Sequence, residues 1–297
     1  MSQIKLVLLL VLFLASCGPV SSPVENRKPL VLVSIAPYKF LAERIGGEAI
    51  EVETIIPPRS NPHAFEPTSR QVLEISRGQI WFRIGEPFEE KILPLLRKSS
   101  PQLAVADLRD GIELQPAEEE HQQSCSHCSA DQMDRHAWLS PKLAALQAEQ
   151  IARILSDRFP EIKECVQKNL AACLVDLERL DRELETLLEP LQERSFIVSH
   201  SAFRYFCRDY KLVQLSVEQE GKEPRPRHLE EMLERAKKAH PAVALALPQH
   251  NNKGAQIIAK EMNVPVRMVD PYCADYFEML RNLARFIADP LSEALPP

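Results

Sequence analysis

Glycine is scarce in this chain of 297 residues: there are 8, against 24 prolines. No GxGxxG run and no P-loop is present, so the chain lacks the loops that cradle nucleotide phosphates. HExxH and GxSxG are also missing, which removes the short signatures of zinc proteases and of serine hydrolases. Charge of one sign is not concentrated either. The 36 basic and 42 acidic residues leave a net −6, and the basic ones form no long block. Without a clustered basic face the sequence has no footprint for nucleic acid. The N-terminal apolar run, Leu6 to Ala15, is too short to span a bilayer as a helix. What is present is a 45% hydrophobic content, enough to bury a core in one large domain or two medium ones.

The N-terminus has the order of a signal peptide: Lys5, the apolar run, then Leu14-Ala15-Ser16-Cys17-Gly18. This end resembles the lipobox of bacterial lipoproteins, in which the cysteine becomes the lipid-bearing first residue of the mature chain. The resemblance implies lipidation at Cys17, with residues 18–28 as a polar Ser/Pro tether. The mature protein is then expected to be exported, to the periplasm or cell surface, and held at a membrane without entering it. Six of the 7 cysteines remain after Cys17. Cys165 and Cys173 fall about 12 Å apart along one helix, too far for a disulfide. Cys207 and Cys273 share the C-terminal half, and in an oxidising compartment they are either a disulfide or two buried thiols.

Short β-branched runs then alternate with amphipathic stretches. "LVLVSI" (30–35), "EVETII" (51–56), "QIWFRI" (79–84) and "LAVAD" (103–107) read as strands, with helices between them. The same grammar returns in "SFIVS" (195–199), "LVQLSV" (212–217), "AVALAL" (242–247) and "VPVRMV" (264–269). Alternating β and α elements predict an α/β fold with parallel sheets flanked by helices. Between the halves, Val166, Leu170, Cys173, Leu177, Leu180, Leu184, Leu187 and Leu191 repeat at alternating spacings of 4 and 3. This predicts a helix of roughly 30 residues, about 45 Å long. An oligomeric coiled coil would share the pattern; flanking Pro160 and Pro190 favour a rigid internal strut, and the expected state is a monomer. The organisation is therefore an N-terminal lobe (29–159), a linking helix (160–193) and a C-terminal lobe (194–297).

In parallel sheets, ligands bind beyond the carboxyl ends of the strands. His63, in the proline-crowded "PPRSNPHAFEP", follows the strand at 51–56. His136, in "DRHAW", follows the strand at 103–107 through a polar segment. His200 follows 195–199, and Asp270 follows 264–269. His228 and His240 lie on or beside helices, while His250 follows a strand end and is held in reserve. Three imidazoles and one carboxylate at a closed site between lobes suit a first-row divalent cation.

At these residues the sequence resembles the metal-binding proteins of bacterial ABC transporters for zinc and manganese, the TroA/ZnuA-like group. The matching pieces are "NPHAFEPTSRQ", "DRHAWLSP", "SHSAFRYF", "EGKEPRPRHLEEM" and "VDPYCADYFEMLRNLA". The resemblance implies two lobes bridged by a backbone helix, a metal ion held by His63, His136, His200 and Asp270, and an ABC permease as partner. Zn²⁺ is the expected ion, because a nitrogen-rich set suits zinc; Mn²⁺ and Fe²⁺ are the alternatives. Two departures stand out. Arg135 replaces the family's usual proline, and the loop before His136 is short and mixed. That loop carries His121, Cys125, His127 and Cys128, either a metal-capture loop or a solvated acidic segment. Competing readings are a zinc hydrolase, which needs a general base and an open ligand position, and a surface adhesin in which the histidines are incidental.

Overall fold

The computed structural model describes residues 28–117, 133–218 and 224–294. Cys17 and the loop residues His121, Cys125, His127 and Cys128 lie outside the described residues.

The N-terminal sheet holds β1 (Leu30–Val33), β2 (Glu51–Thr54), β3 (Ile80–Arg83) and β4 (Ala104–Asp107), all parallel, in the order β2-β1-β3-β4. The C-terminal sheet repeats that order with β5 (Ser195–Val198), β6 (Val213–Ser216), β7 (Ala244–Ala246) and β8 (Val266–Met268): β6-β5-β7-β8. The central strands carry continuous apolar side chains because helices cover both faces. Val31, Val33, Trp81 and Phe82 are fully buried, as are Phe196 and Val198. Each sheet reverses its strand order beside its first strand, and a parallel sheet opens a ligand crevice at such a point.

The helices begin where local chemistry starts them. In α1 (Ala36–Gly46), α3 (Pro87–Ser99) and α4 (Pro141–Arg158), proline occupies one of the first two positions, where a missing N–H costs nothing. Thr68 and Gln71 form a capping box at α2 (Ser69–Ile75), and the Ser140 hydroxyl accepts from the Leu143 N–H to start α4.

The linking helix α5 (Lys163–Leu188) has 26 residues, about 39 Å, between 3₁₀ turns at Pro160–Ile162 and Glu189–Leu191. Val166, Cys173, Leu177, Leu180 and Leu184 are buried as the stripe predicts, and Leu170 and Leu191 are half-buried, but Leu187 differs. Leu188 is fully buried and Leu187 is 42% exposed. A straight helix turns every 3.6 residues, so the buried row drifts off a strict heptad by its end. The stripe packs on α1 and α4 and on the last helix, so α5 touches both lobes. Its buried residues belong to one core that runs from Val31 to Ile287. Among the described residues no helix is long and apolar enough to cross a membrane.

Aromatic contacts also tie the lobes together. Trp138 Nε1 donates to the Pro271 carbonyl at 2.9 Å, and Tyr205 donates to the Asp134 carbonyl at 2.9 Å. The Phe40 ring meets Phe277 at 4.9 Å between centroids. Each joins a residue of the N-terminal lobe to one of the C-terminal lobe.

Cys207 and Cys273 are not joined by a disulfide; both remain thiols, as do Cys165 and Cys173. Cys207 is buried on the inner face of α6 (Arg204–Tyr210), whereas Cys273 sits in the turn after β8. Membership of one lobe does not supply the close Cα approach that a disulfide needs.

Candidate metal centre

His63 comes from the turn after β2. Its backbone N–H donates to the Asn61 side chain at 2.9 Å, which closes a 3₁₀ turn over Pro62–Ala64. Glu66 points elsewhere, to the exposed Lys91 at 2.7 Å. His136 opens the 3₁₀ turn Ala137–Leu139 that leads into α4, and its backbone N–H donates to Asp134 at 2.9 Å. His200 follows β5 directly. The three rings form a near-equilateral triangle with centroids 4.9, 5.2 and 5.3 Å apart.

Each ring is held from behind by a carboxylate. His63 Nδ1 lies 2.9 Å from Glu86 Oε2, His136 Nδ1 lies 2.6 Å from Asp134 Oδ1, and His200 Nδ1 lies 2.7 Å from Glu218 Oε2. A carboxylate can only accept, so each Nδ1–H donates, and in the neutral ring Nε2 keeps its lone pair. The Nε2 atoms of His63 and His200 face each other at 3.1 Å. Two lone pairs at that distance repel unless a cation or a proton lies between them. Donors at 2.0–2.1 Å from a tetrahedral zinc would be about 3.4 Å apart. Nitrogen atoms of all three rings lie within 4.8 Å of one another.

The turn that carries Glu86 is itself fixed. Glu86 is fully buried at the start of α3, where the Glu89 carboxylate accepts from the N–H groups of Ile84, Gly85 and Glu86. Ser34 Oγ donates to that same carboxylate at 2.5 Å. Gly85 adopts φ 82, which strains a side-chain-bearing residue, and a Cβ there would stand 2.0 Å from the Arg109 guanidinium carbon and push that side chain aside. Arg135, the departure from the usual proline, donates its Nε–H to the Gly85 carbonyl at 2.6 Å.

The protonation preferences of two of the three rings suit cation binding. Burial, with the neighbouring His63 charge, pushes His136 well below the ordinary histidine range. Burial pushes His200 down to about 3, against the pull of Glu218. Both shifts favour the neutral imidazole, which keeps its Nδ1–H and offers the Nε2 lone pair. Burial alone would lower His63 as well, but Glu86 outweighs it and leaves its pKa raised. Burial would raise Glu218, yet His200 and His250 bring it to about 2. Burial raises Asp134 to about 7.

Asp270 stands apart from the triangle. Its Oδ1 accepts from Gln249 Nε2 at 2.7 Å and from the Tyr272 N–H at 2.9 Å. Among the described residues, the grouped donor sets contain the three histidines or His200, Glu218 and His250, without Asp270. The Tyr272 hydroxyl lies 3.2 Å from His136 Nε2. His250, the reserve candidate, stacks on His200 at 4.1 Å. Glu86, Asp134 and Glu218 were missed as partners of the rings. The signal was available: Glu86 and Glu218 follow β3 and β6 as closely as the histidines follow their strands. Applied to carboxylates, the strand-end rule finds both.

Comparison with known proteins follows the same lines. The family model described as zinc-uptake complex component A, periplasmic, matches residues 31–289. A putative metal-binding protein of Chlamydia muridarum is 32% identical over 287 residues, covering 95% of this chain and 99% of that one. An iron ABC transporter substrate-binding lipoprotein of Streptococcus pyogenes serotype M1, MtsA, is 25% identical, with 90% and 87% covered. A crystal structure of ZnuA superposes with a TM-score of 0.82 at 34% identity, covering 89% of this chain and all of that one. Its two-lobe α/β fold, with a linking helix between parallel sheets, is therefore the fold of this chain. By its sequence over nearly its whole length and by its fold, the chain belongs to the ZnuA family of zinc-uptake components.

Proposed function

We propose that this protein is the substrate-binding receptor of a metal-ion ABC importer. It captures a divalent cation between its lobes and delivers it to a membrane permease. The observation that carries the reading is the pair of Nε2 atoms 3.1 Å apart, each ring anchored through Nδ1 by a carboxylate. Such carboxylate–histidine pairs fix ring orientation and raise donor basicity toward a metal. The ligands are His63, His136 and His200. Asp270 completes the shell once its carboxylate leaves Gln249 and the Tyr272 N–H.

Zinc is the favoured cargo because three neutral imidazoles make a nitrogen-rich set. Glu86, Asp134 and Glu218 surround that set with carboxylates that attract a dication without coordinating it. Iron or manganese is the second reading, favoured by the iron-transporter relative and by the oxygen donor that Asp270 adds. The reading is a receptor and not a hydrolase: the carboxylates nearest the rings are committed to holding imidazoles, and four protein ligands close a zinc shell. Export and a lipid anchor at Cys17 place the receptor at the membrane beside its permease, and residues 121–128 are a capture loop upstream of the centre.

Thermal denaturation of the metal-stripped protein, titrated with Zn²⁺ and with Mn²⁺, tests this. The proposal predicts a large zinc-dependent rise in Tm that His200→Ala removes. No response of the native sequence to either ion would refute it.

A further inference from the structure

The Nε2 atom of His136 has a claimant besides the cation. Its Nδ1–H is committed to Asp134, so in the neutral ring Nε2 offers one lone pair. The Tyr272 hydroxyl stands 3.2 Å from that atom and, facing an acceptor, donates to it. An imidazole lone pair lies in the ring plane and serves one partner at a time, a hydroxyl hydrogen or a metal ion. Whichever holds Nε2, the other has to leave. The contact is long for a hydroxyl donor, so it is a bond that a dication can displace.

Tyr272 reaches His136 from the other lobe, on the turn after β8 that also carries Asp270. The Cys273 N–H donates to the Asp270 carbonyl at 3.1 Å and closes that turn. The Tyr272 N–H donates to the Asp270 carboxylate at 2.9 Å. The Pro271 carbonyl accepts from Trp138 Nε1 at 2.9 Å, which pins the turn two residues beyond His136. The Tyr272 ring lies 5.4 Å from the Trp138 ring and 6.3 Å from the His136 ring between centroids. A phenylalanine would make the same ring contacts, so packing does not account for the hydroxyl. One residue thus holds two of the four expected ligands, His136 through its hydroxyl and Asp270 through its backbone N–H.

We propose that the Tyr272 hydroxyl is an internal competitor for His136 Nε2, exchanging with the cation and setting how tightly the centre holds it. The inference rests on the receptor reading above. A shift of the turn that draws the hydroxyl off His136 carries the Tyr272 N–H with it, so His136 and Asp270 become available to the ion together. The reverse exchange returns a hydrogen bond to Nε2 as the ion departs, and the buried nitrogen is not left unpaired. That bond also joins the lobes where the ion had joined them. Departure is therefore easier than from four unopposed ligands, a property a receptor needs if it is to surrender its cargo.

Tyr272→Phe keeps the ring and removes the hydroxyl. The full chain, metal-stripped, is titrated with Zn²⁺ against a chromophoric chelator, native beside variant. Loss of a competing hydrogen bond of ordinary net strength predicts zinc binding about 2–10-fold tighter in the variant. Unchanged binding overturns the proposal, and so does weaker binding, which would make the hydroxyl a support for the bound ion. If the native chain itself binds no zinc, the receptor reading fails and takes this proposal with it. Nitrogen NMR of the metal-stripped native chain, with isotope-labelled histidine, reads the contact without relying on a variant that folds. The proposal predicts a His136 Nε2 signal displaced by an accepted hydrogen bond, and a displacement that Tyr272→Phe alters at His136 alone. The signal of an unengaged lone pair in the native chain overturns it.

Discussion

Glu86→Gln isolates what a backing carboxylate contributes. Glu86 is fully buried, and its Oε2 accepts from His63 Nδ1 at 2.9 Å. Glutamine retains the shape and a carbonyl acceptor while removing the charge that holds the ring in one tautomer. Loss of such a partner weakens metal affinity by about 10–100-fold. At a zinc concentration about 1,000 times the native Kd, zinc contributes about 4.1 kcal/mol to stability. A tenfold weaker variant keeps about 2.7 kcal/mol at the same concentration, and a hundredfold weaker one about 1.4. At roughly 2–4 °C per kcal/mol, the zinc-induced rise in Tm shrinks by about 3–11 °C. The assay is paired calorimetric melts with and without zinc, native against variant, so that any change in the metal-free protein cancels. An unchanged zinc-induced shift would refute the claim that Glu86 acts on the metal through His63.

Other outcomes follow from the same geometry. Asp270→Ala should weaken zinc binding less than His200→Ala does, by competition titration, because its carboxylate reaches the ion only after leaving Gln249 and the Tyr272 N–H. Equal losses would mean Asp270 coordinates as firmly as the rings. Leu180→Ala, at a fully buried position of α5, should cost about 2–5 kcal/mol by denaturant unfolding without selectively reducing zinc affinity. Burial pushes the Asp107 carboxyl up, but Arg109 and Arg83 outweigh it and hold its pKa below the usual range. Its contribution is therefore complete above the unfolded pKa of about 3.9 and fades as pH falls through the folded value. Asp107→Asn should lower stability at neutral pH and flatten its decline in acid, measured by urea unfolding at a series of pH values.

Much of the fold was legible because burial on both faces forces strands such as "LVLV" and "SFIV" to be apolar throughout, and no other element of that length reads so. The linking helix was legible for most of its length, and its last buried position was not: Leu187 and Leu188 are both leucine, and only helix drift decides between them. At the centre, His63, His136 and His200 were found because each closely precedes or follows an element whose end could be read. Their carboxylate partners were harder. Glu86 lies 23 residues from His63, and Glu218 lies 18 from His200. Glutamates just before proline-started helices or after strands usually face water. Only the three-dimensional approach of β1, β2 and β3 brings Glu86 under His63. The Asp270 contacts depend on the register between the turn after β7 and the turn after β8, which no local pattern encodes.

The central claim is that His63, His136 and His200 jointly hold the cation. Crystals of the full chain grown with one equivalent of zinc, measured at the zinc absorption edge, test it most directly. The account predicts one dominant anomalous peak, about 2.0–2.1 Å from the Nε2 atoms of all three rings. A dominant peak elsewhere, at Cys125 and Cys128 for instance, with none inside the triangle, would contradict it.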